Sequence, residues 1–435
     1  MKVVIMAGGK GTRMLSIASD IPKPMIPIEG RPVLEREIEC LCEQGFTDIL
    51  ITVGHLGNVI MDYFGNGLKF GAHITYYFEK KPLGNAGALF QVKDQLTDDF
   101  LLLNADAMFD IDFNRFVQYH KTHDAVATLF THPNSHPYDS GVIIADEHMA
   151  VRKWLAKEDE RPEYFKNRVN AGLHVLNKKI LEQTVEGGKI DLDRQLLKPL
   201  AGTGQMYCYD SPEYVKDMGT PERYYAVCKD FANGIVKARN LKKRQKAIFL
   251  DRDGTINEYV GFLTDIKEFH LLDGVAEAIR KINASGYLAI VVTNQPIIAR
   301  GEVSFTELQE IHNKMETLLG AEGAYIDAIY FCPHHPDKGF EGERVEYKIS
   351  CDCRKPKPGM LLKAAEDFNI DLSRSWMVGD GKNDVEAGKN AGCKTVLIGT
   401  EDYGQDRKVS SLFATTETLF DEYNANLPSG VTTSL

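Results

Sequence analysis

No stretch of this 435-residue chain approaches the roughly 20 consecutive apolar residues that cross a bilayer as a helix. The N-terminal MKVVIMAGGK also lacks the apolar core followed by small residues that marks a secretory leader. These two absences predict a cytoplasmic protein with no membrane partner. Cations are in deficit too: 51 Lys and Arg face 62 Asp and Glu, a net charge of −11. That balance disfavours nucleic acid as a partner, because such binding rests on clustered Lys and Arg neutralising phosphates. Small phosphorylated substrates remain open. Eight cysteines do not make a disulfide framework in a chain this long, and a reducing compartment keeps them as thiols. Internal repeats and low-complexity tracts are missing as well.

What is present is more chain than one core organises, so two domains of roughly 200 residues are expected. Short β-branched runs end in small or acidic residues at VVIMAGG, ILITVG, FLLLNAD, AIFLD, LAIVVTN and WMVGD, as buried parallel strands do. Amphipathic stretches such as RPVLEREIECLCEQG, GVAEAIRKINASG and PGMLLKAAEDFN lie between them. Alternating strands and helices predict an α/β protein with two doubly wound domains, whose ligands sit at the carboxyl ends of the strands. The basic run in ANGIVKARNLKKRQKA sets the boundary and reads as a solvated linker. The expected limits are a first domain over 1–234, a linker over 235–245, a second domain over 246–405, and a C-terminal helix and tail over 406–435.

In AIFLDRDGTIN, two carboxylates, Asp251 and Asp253, stand at the end of an apolar strand before a Gly-Thr turn. Phosphoryl transfer to a carboxylate needs such a pair: one attacks in line, the other protonates the leaving oxygen and later activates water, and a divalent ion holds the nucleophile against the phosphate. Further on, LAIVVTN supplies Thr293 and Asn294, CRKPKPG supplies Arg354 and Lys355, and WMVGDGKND supplies Asp380 and Asp384. These four motifs, in this order, resemble those of the haloacid-dehalogenase-like phosphatases. The resemblance implies Asp251 as nucleophile, Asp253 as general acid and base, Thr293 and Lys355 as phosphate ligands, and Mg²⁺ held by Asp251, Asp253 and Asp380. Asp384 is expected to support the metal's water shell or Lys355.

FCPHHPDKG and SCDCRKPKPGM add a C-x-H…C-x-C constellation. Cys332, His334, Cys351 and Cys353 offer four N/S ligands with no position left for water, the pattern of a structural Zn²⁺, with His335 the rival to His334. The last of these cysteines is two residues from Lys355, so the metal would fix the loop that carries the lysine. The pattern is similar to the subgroup containing heptose 1,7-bisphosphate and histidinol-phosphate phosphatases, which share a zinc loop and lack a large cap. Asn294, Gln295, Arg300, Gly301 and Arg354 lean toward the heptose enzyme, with Asn294 and Gln295 expected among the phosphate or substrate ligands. Arg300 and Arg354 are candidate partners for a second phosphate, guanidinium being well matched to phosphate oxygens.

In the first domain MAGGKGTRM follows the first strand, and its glycines allow backbone N–H groups close to phosphate oxygens. It has neither the Walker spacing nor a full G-x-G-x-x-G, so neither an ATPase nor a dehydrogenase is indicated. Together with IPKPMIPI, PLGNAGAL, LLLNADAMFD, NAGLHVL and KDMGTPERYYA, it resembles the sugar-1-phosphate nucleotidyltransferases, which join a sugar 1-phosphate to a nucleoside triphosphate and release pyrophosphate. The resemblance implies that Gly8, Gly9, Gly11, Thr12 and Arg13 hold the triphosphate and that the catalytic Lys23 meets its α-phosphoryl. Gly84, Asn85 and Gly87 line the base or sugar pocket, Asn170 and Gly172 meet the sugar, and Asp106 and Asp217 coordinate Mg²⁺. Where that family carries Phe-x-Glu-Lys-Pro, this chain has VRKWLAKEDERPEYF, with Lys157 and Glu158 in reversed order.

A phosphatase acting on the 7-phosphate of a heptose 1,7-bisphosphate yields a sugar 1-phosphate, the substrate class of a nucleotidyltransferase, so consecutive reactions are expected, with GTP the nucleotide the resemblance implies. Two other readings are kept: an N-terminal domain that only senses a sugar nucleotide, and a mannose-1-phosphate-type transferase fused to a histidinol-phosphate-like phosphatase. The expected partners are a sugar phosphate and a nucleoside triphosphate, and homo-oligomerisation is left open.

Overall fold

The first strand, Lys2–Ala7, carries Val3, Val4 and Ile5 with no exposure on either face, as a strand does when both sides of its sheet are covered. It lies between Asp48–Val53 and Asp99–Asn104 and runs parallel to both. A computed structural model describes residues 1–9, 17, 20–182, 188–339 and 341–425, with side chains to 420. The Gly11, Thr12 and Arg13 expectations lie outside the described residues. The sheet is nine-stranded and mixed. His73–Phe78 extends one side in parallel, while Val169–Asn177 runs antiparallel to Asp99–Asn104 on the other. The helix Val33–Cys42 covers one face through Leu34, Ile38 and Leu41, at helical spacing. A separate antiparallel pair, Ala107–Asp110 with Tyr214–Asp217, places Asp217 opposite Ala107 and so beside Asp106.

The second sheet is six-stranded and wholly parallel, in the order Ala328–Cys332, Leu288–Asn294, Ala247–Leu250, Trp376–Gly379, Lys394–Ile398, Arg407–Val409. Its central strand, AIFL, is fully buried. Helix Val275–Asn283 packs Val275, Ala278, Ile279 and Ile282 onto the sheet, and helix Phe305–Ala321 begins with a reciprocal Ser304–Glu307 capping box. Among the described residues no helix is long and apolar enough to cross a membrane.

The chain divides into two units, Met1–His132 with Tyr138–Glu160 and Arg168–Leu241, and Pro133–Pro137 with Arg161–Asn167 and Lys242–Leu435. The limits expected from the sequence therefore change, Pro133–Pro137 joining the second unit and three further stretches moving as follows. Residues 235–241 are not linker: Ile235–Ala238 is a helix whose Ile235 and Val236 join an apolar cluster with Tyr214 and Val227, and Leu241 is buried. Residues 406–425 are not an appendage, because Arg407–Val409 is the sheet's edge strand and Leu412 packs with Val275 and Ile279. Arg161–Asn167, inside the altered VRKWLAKEDERPEYF stretch and just beyond it, belongs to the second unit. There Phe165 N donates to Thr317 Oγ1 (2.9 Å) and Asn167 N to Glu316 Oε2 (2.9 Å).

Because Leu412 is 2% exposed, Leu412→Ala should cost the second unit about 2–5 kcal/mol through lost transfer energy and the cavity left behind. A lower denaturant midpoint checks this; an unchanged midpoint would mean that the helix is a dispensable tail.

Candidate active sites

At the carboxyl end of the central strand of the second unit, Asp251 N donates to Val378 O, which fixes the loop that follows against the neighbouring strand. Lys355 Nζ lies 2.8 Å from Asp251 Oδ1 and 2.6 Å from Asp384 Oδ1, with the lysine buried. The lysine is held by its backbone as well: Asn294 Nδ2 donates to Lys355 O and Lys355 N to Asn294 Oδ1, both at 3.0 Å. Asp251, Asp380 and Asp384 each offer an oxygen within 4.8 Å of the others. Gly254 (φ +81°) makes room for them, since a Cβ there would come 2.1 Å from Asp380 Oδ2.

Three carboxylates against one ammonium leave the cluster short of positive charge. Burial, then the charge of Asp384, pushes Asp251 up to about 6 against the opposing pull of Lys355. Burial, then Asp251, pushes Asp380 to about 6. Burial alone would lower Lys355, but Asp251 and Asp384 outweigh it and hold the ammonium above its ordinary range. Hard oxygen donors with an uncompensated negative charge are the chemistry a divalent cation meets.

The side chain of Asp253, expected among the Mg²⁺ ligands, lies outside that trio. Its carboxylate is turned to the fully buried Arg252 (2.9 Å to each oxygen from Nη2), to Asn257 Nδ2 (3.0 Å) and to Gln295 Nε2 (2.9 Å). Burial would raise this group, but the Arg252 charge and the bonds from Asn257, Arg252 and Gln295 hold it below the usual carboxylate range. Of the expected phosphate ligands, Asn294 is occupied by the Lys355 backbone and Gln295 by Asp253 and Thr293 Oγ1 (2.8 Å). Arg300 pairs with Glu302 (2.6 Å) and lies over the Phe262 ring, while Arg354 Nη1 donates to His334 O (3.1 Å).

Cys332, His334, Cys351 and Cys353 converge. The Cys353 sulfur is 3.1 Å from that of Cys332, 3.3 Å from that of Cys351 and 3.3 Å from His334 Nδ1. His335 is turned away, its Nδ1 accepting from Asp337 N.

In the first unit Lys23, itself buried, places Nζ 2.7 Å from Asp106 Oδ2 and 3.7 Å from Asp217 Oδ1. Gly8 passes so close to Glu79 that a Cβ would meet Oε1 at 2.6 Å, whereas Gly9 faces open space. At Gly84 (φ +85°) a Cβ would strike Ile190 O at 2.2 Å, at Gly87 it would meet Leu83 Cβ at 2.6 Å, and Asn85 Oδ1 accepts from Leu192 N (2.7 Å). Asn85, expected at the base or sugar pocket, thus clamps its own turn to Ile190–Leu192 through Oδ1. Asn170 Oδ1 accepts from Gly172 N (3.2 Å) and lies 3.1 Å from His174 Nε2. The reversed pair sits in exposed ion pairs, Lys157 with Asp139 (3.0 Å) and Glu158 with Arg194.

Sequence reasoning missed Arg223, which pairs with Asp217, and Arg252. It also missed Glu37, whose fully buried carboxyl is raised by burial and then by Asp106, with Lys23 opposing. The signal for Glu37 was there: a charge in the Val33–Glu37–Leu41 apolar stripe of a helix. Arg223 reaches Asp217 because Thr220 caps the helix Pro221–Ala232 and turns its first residues back toward the strand end. That is a three-dimensional fact.

Residues 2–234 match the nucleotidyl transferase family and residues 352–419 the HAD-hydrolase-like family. The D-glycero-beta-D-manno-heptose-1,7-bisphosphate 7-phosphatase of Pasteurella multocida (strain Pm70) is 48% identical over 158 residues, covering 36% of this chain and 83% of its own. The D-glycero-alpha-D-manno-heptose-1,7-bisphosphate 7-phosphatase of Burkholderia mallei (strain ATCC 23344) is 44% identical over 155 residues, covering 36% of this chain and 80% of its own. Among solved structures, HddC from Yersinia pseudotuberculosis complexed with GMP-PN is 28% identical, with a TM-score of 0.46, covering 53% of this chain and 99% of that one.

For Asp380 the folded pKa, about 6, lies above the ordinary 3.8. Its contribution to stability is therefore present at low pH and lost as pH rises through about 6. Metal-free Asp380→Asn should melt above the metal-free parent at pH 7.5, with the gap closing toward pH 4. Magnesium chloride should raise the parent's melting temperature more than the variant's. Calorimetry across pH reads both, and equal melting at pH 7.5 would contradict the charge imbalance described.

Proposed function

Since the chain belongs to the nucleotidyl transferase family over residues 2–234 and to the haloacid-dehalogenase-like phosphatases in its C-terminal half, where it is 48% identical to a heptose bisphosphate phosphatase, we propose that it carries out two consecutive reactions on one sugar. It removes the 7-phosphate of D-glycero-D-manno-heptose 1,7-bisphosphate, then transfers a nucleotidyl group, from GTP by preference, to the heptose 1-phosphate. The observation that carries the first step is the buried Lys355 bridging Asp251 and Asp384 beside a second aspartate, Asp253, held in place.

In the phosphatase step an Asp251 oxygen attacks phosphorus, Asp253 protonates the departing sugar oxygen, and Lys355 and the Thr293 hydroxyl hold the phosphoryl oxygens. Asp253 then takes a proton from the water that hydrolyses the aspartyl phosphate. Asp251, Asp380 and, from its place in the cluster, Asp384 suit Mg²⁺, which supplies neutralisation of the phosphate charge. The Cys332–His334–Cys351–Cys353 cluster suits a closed structural Zn²⁺. Arg300 and Arg354 are assigned to the distal phosphate.

In the second step Lys23 meets the α-phosphoryl group, and Gly8, Gly9, Gly11, Thr12 and Arg13 hold the triphosphate. Gly84 and Gly87 shape the base pocket and Asn170 and Gly172 meet the sugar. Asp106 and Asp217, both in reach of Lys23, suit Mg²⁺. The same proximity favours a working transferase over a non-catalytic sensor. The product of the first reaction is the substrate class of the second, which is a chemical reason for one chain to hold both.

Asp251→Asn should lower phosphate release by about 10³-fold or more, because an amide oxygen is a poor nucleophile, while pyrophosphate release from heptose 1-phosphate and GTP persists. Asp106→Asn should do the reverse. Following both products by ³¹P NMR with each triphosphate and each anomer tests the assignment; departure of the anomeric phosphate first would overturn it.

Metal analysis of protein purified without chelator should find about one zinc per chain. Cys351→Ser should lose it and lower phosphatase activity. Wild-type protein without bound zinc would refute the site.

A further inference from the structure

The Thr293-Asn294-Gln295 turn closes the strand Leu288–Asn294, and each of its three side chains is committed to a different part of the phosphatase site. Gln295 is 2% exposed. Its amide nitrogen has two hydrogens and two acceptors, Asp253 Oδ2 at 2.9 Å and Thr293 Oγ1 at 2.8 Å. The residue is anchored from behind, since Gln295 N donates to Cys332 O at 2.8 Å. We propose that Gln295 is a positioning residue for proton transfer, a neutral bridge that holds the Asp253 carboxyl and the Thr293 hydroxyl in one frame. The inference rests on the reading of Asp253 as general acid and base.

Each bond has a consequence. A hydroxyl that accepts from Gln295 keeps its own hydrogen for another acceptor, so Thr293 is poised to donate to a phosphoryl oxygen. The Asp253 carboxylate receives Gln295 on one oxygen, Asn257 on the other, and Arg252 across both. Of those donors Gln295 is the one that also touches Thr293, so it ties the acid's position to the hydroxyl assigned to the phosphoryl oxygens, as the Arg252 backbone N–H ties it to Asp251 Oδ1 (2.7 Å). As the Asp251–phosphorus bond forms and the phosphorus–alkoxide bond breaks, Asp253 delivers to the alkoxide a proton drawn from water. In hydrolysis it takes a proton from water while the oxygen–phosphorus bond forms and the acyl phosphate breaks. Gln295 exchanges no proton in either half.

A leaving group that departs well without protonation separates this role from mere packing. The second-order constant kcat/KM reports the steps through aspartyl-phosphate formation, and can be measured on the full-length protein with an alkyl phosphate (heptose 1,7-bisphosphate) and an aryl phosphate (4-nitrophenyl phosphate). Gln295→Met, which keeps the length and removes the donor, should lose about 10²-fold on the alkyl substrate and at least tenfold less on the aryl one. Gln295→Glu, which turns the donor into an acceptor, should widen that split and serves if the methionine variant fails to fold. Asp253→Asn is the control. If it shows no leaving-group split, the acid–base reading fails. If it does while both Gln295 variants lose equally on the two substrates, Gln295 is structural and the inference falls.

Discussion

The phosphatase half is organised around an ammonium buried between two carboxylates. Asp251 and Asp384 hold the buried Lys355 ammonium charged, and isolating such a charge in a poorly solvated interior costs several kcal/mol. The loop is built to keep the ammonium there. Asn294 grips the Lys355 backbone from both sides, Asp384 accepts from Gly381 N as well as from the lysine, and Gly254 leaves space for Asp380. One cation cannot satisfy three carboxylates, and that shortfall is what gives the site an appetite for a second positive charge.

The other half repeats the device on an unrelated sheet. Lys23 stands between Asp106 and Asp217, carboxylates delivered by two strands that pair only with each other. In both halves the lysine's partners are carboxylates of the kind proposed to meet the metal. Arg223 pairs with Asp217, and the buried Glu37, its carboxyl raised by burial and then by Asp106, lies outside that triad.

Residues whose chemistry is local were legible in the sequence. Asp251 and Asp253 announced themselves through an apolar strand ending in two acids, and the four N/S ligands through spacings of two residues. Residues whose role depends on which way a side chain turns were not. Asn294 and Gln295 read as phosphate or substrate ligands from the heptose-type motif, and in the fold their amides meet Lys355 and Asp253, partners 61 and 42 residues away in sequence. Asn85 likewise serves Leu192. The boundary at 235–245 misled because a basic run looks solvated, whereas Ile235, Val236 and Leu241 among those charges are the residues that pack.

The strand bearing Asp251 comes first in its unit's strand sequence but lies inside its sheet, flanked by Leu288–Asn294 on one side and Trp376–Gly379 on the other. A chain emerging from the ribosome therefore completes the side with Thr293 and the zinc-type cysteine Cys332 well before it can supply Asp380 and Asp384. Both Lys355 and the acidic neighbours of Asp251 follow the strand Ala328–Cys332 in the chain. A product truncated before Trp376 would thus leave the strand bearing Asp251 unpaired on one side and lack Asp380 and Asp384.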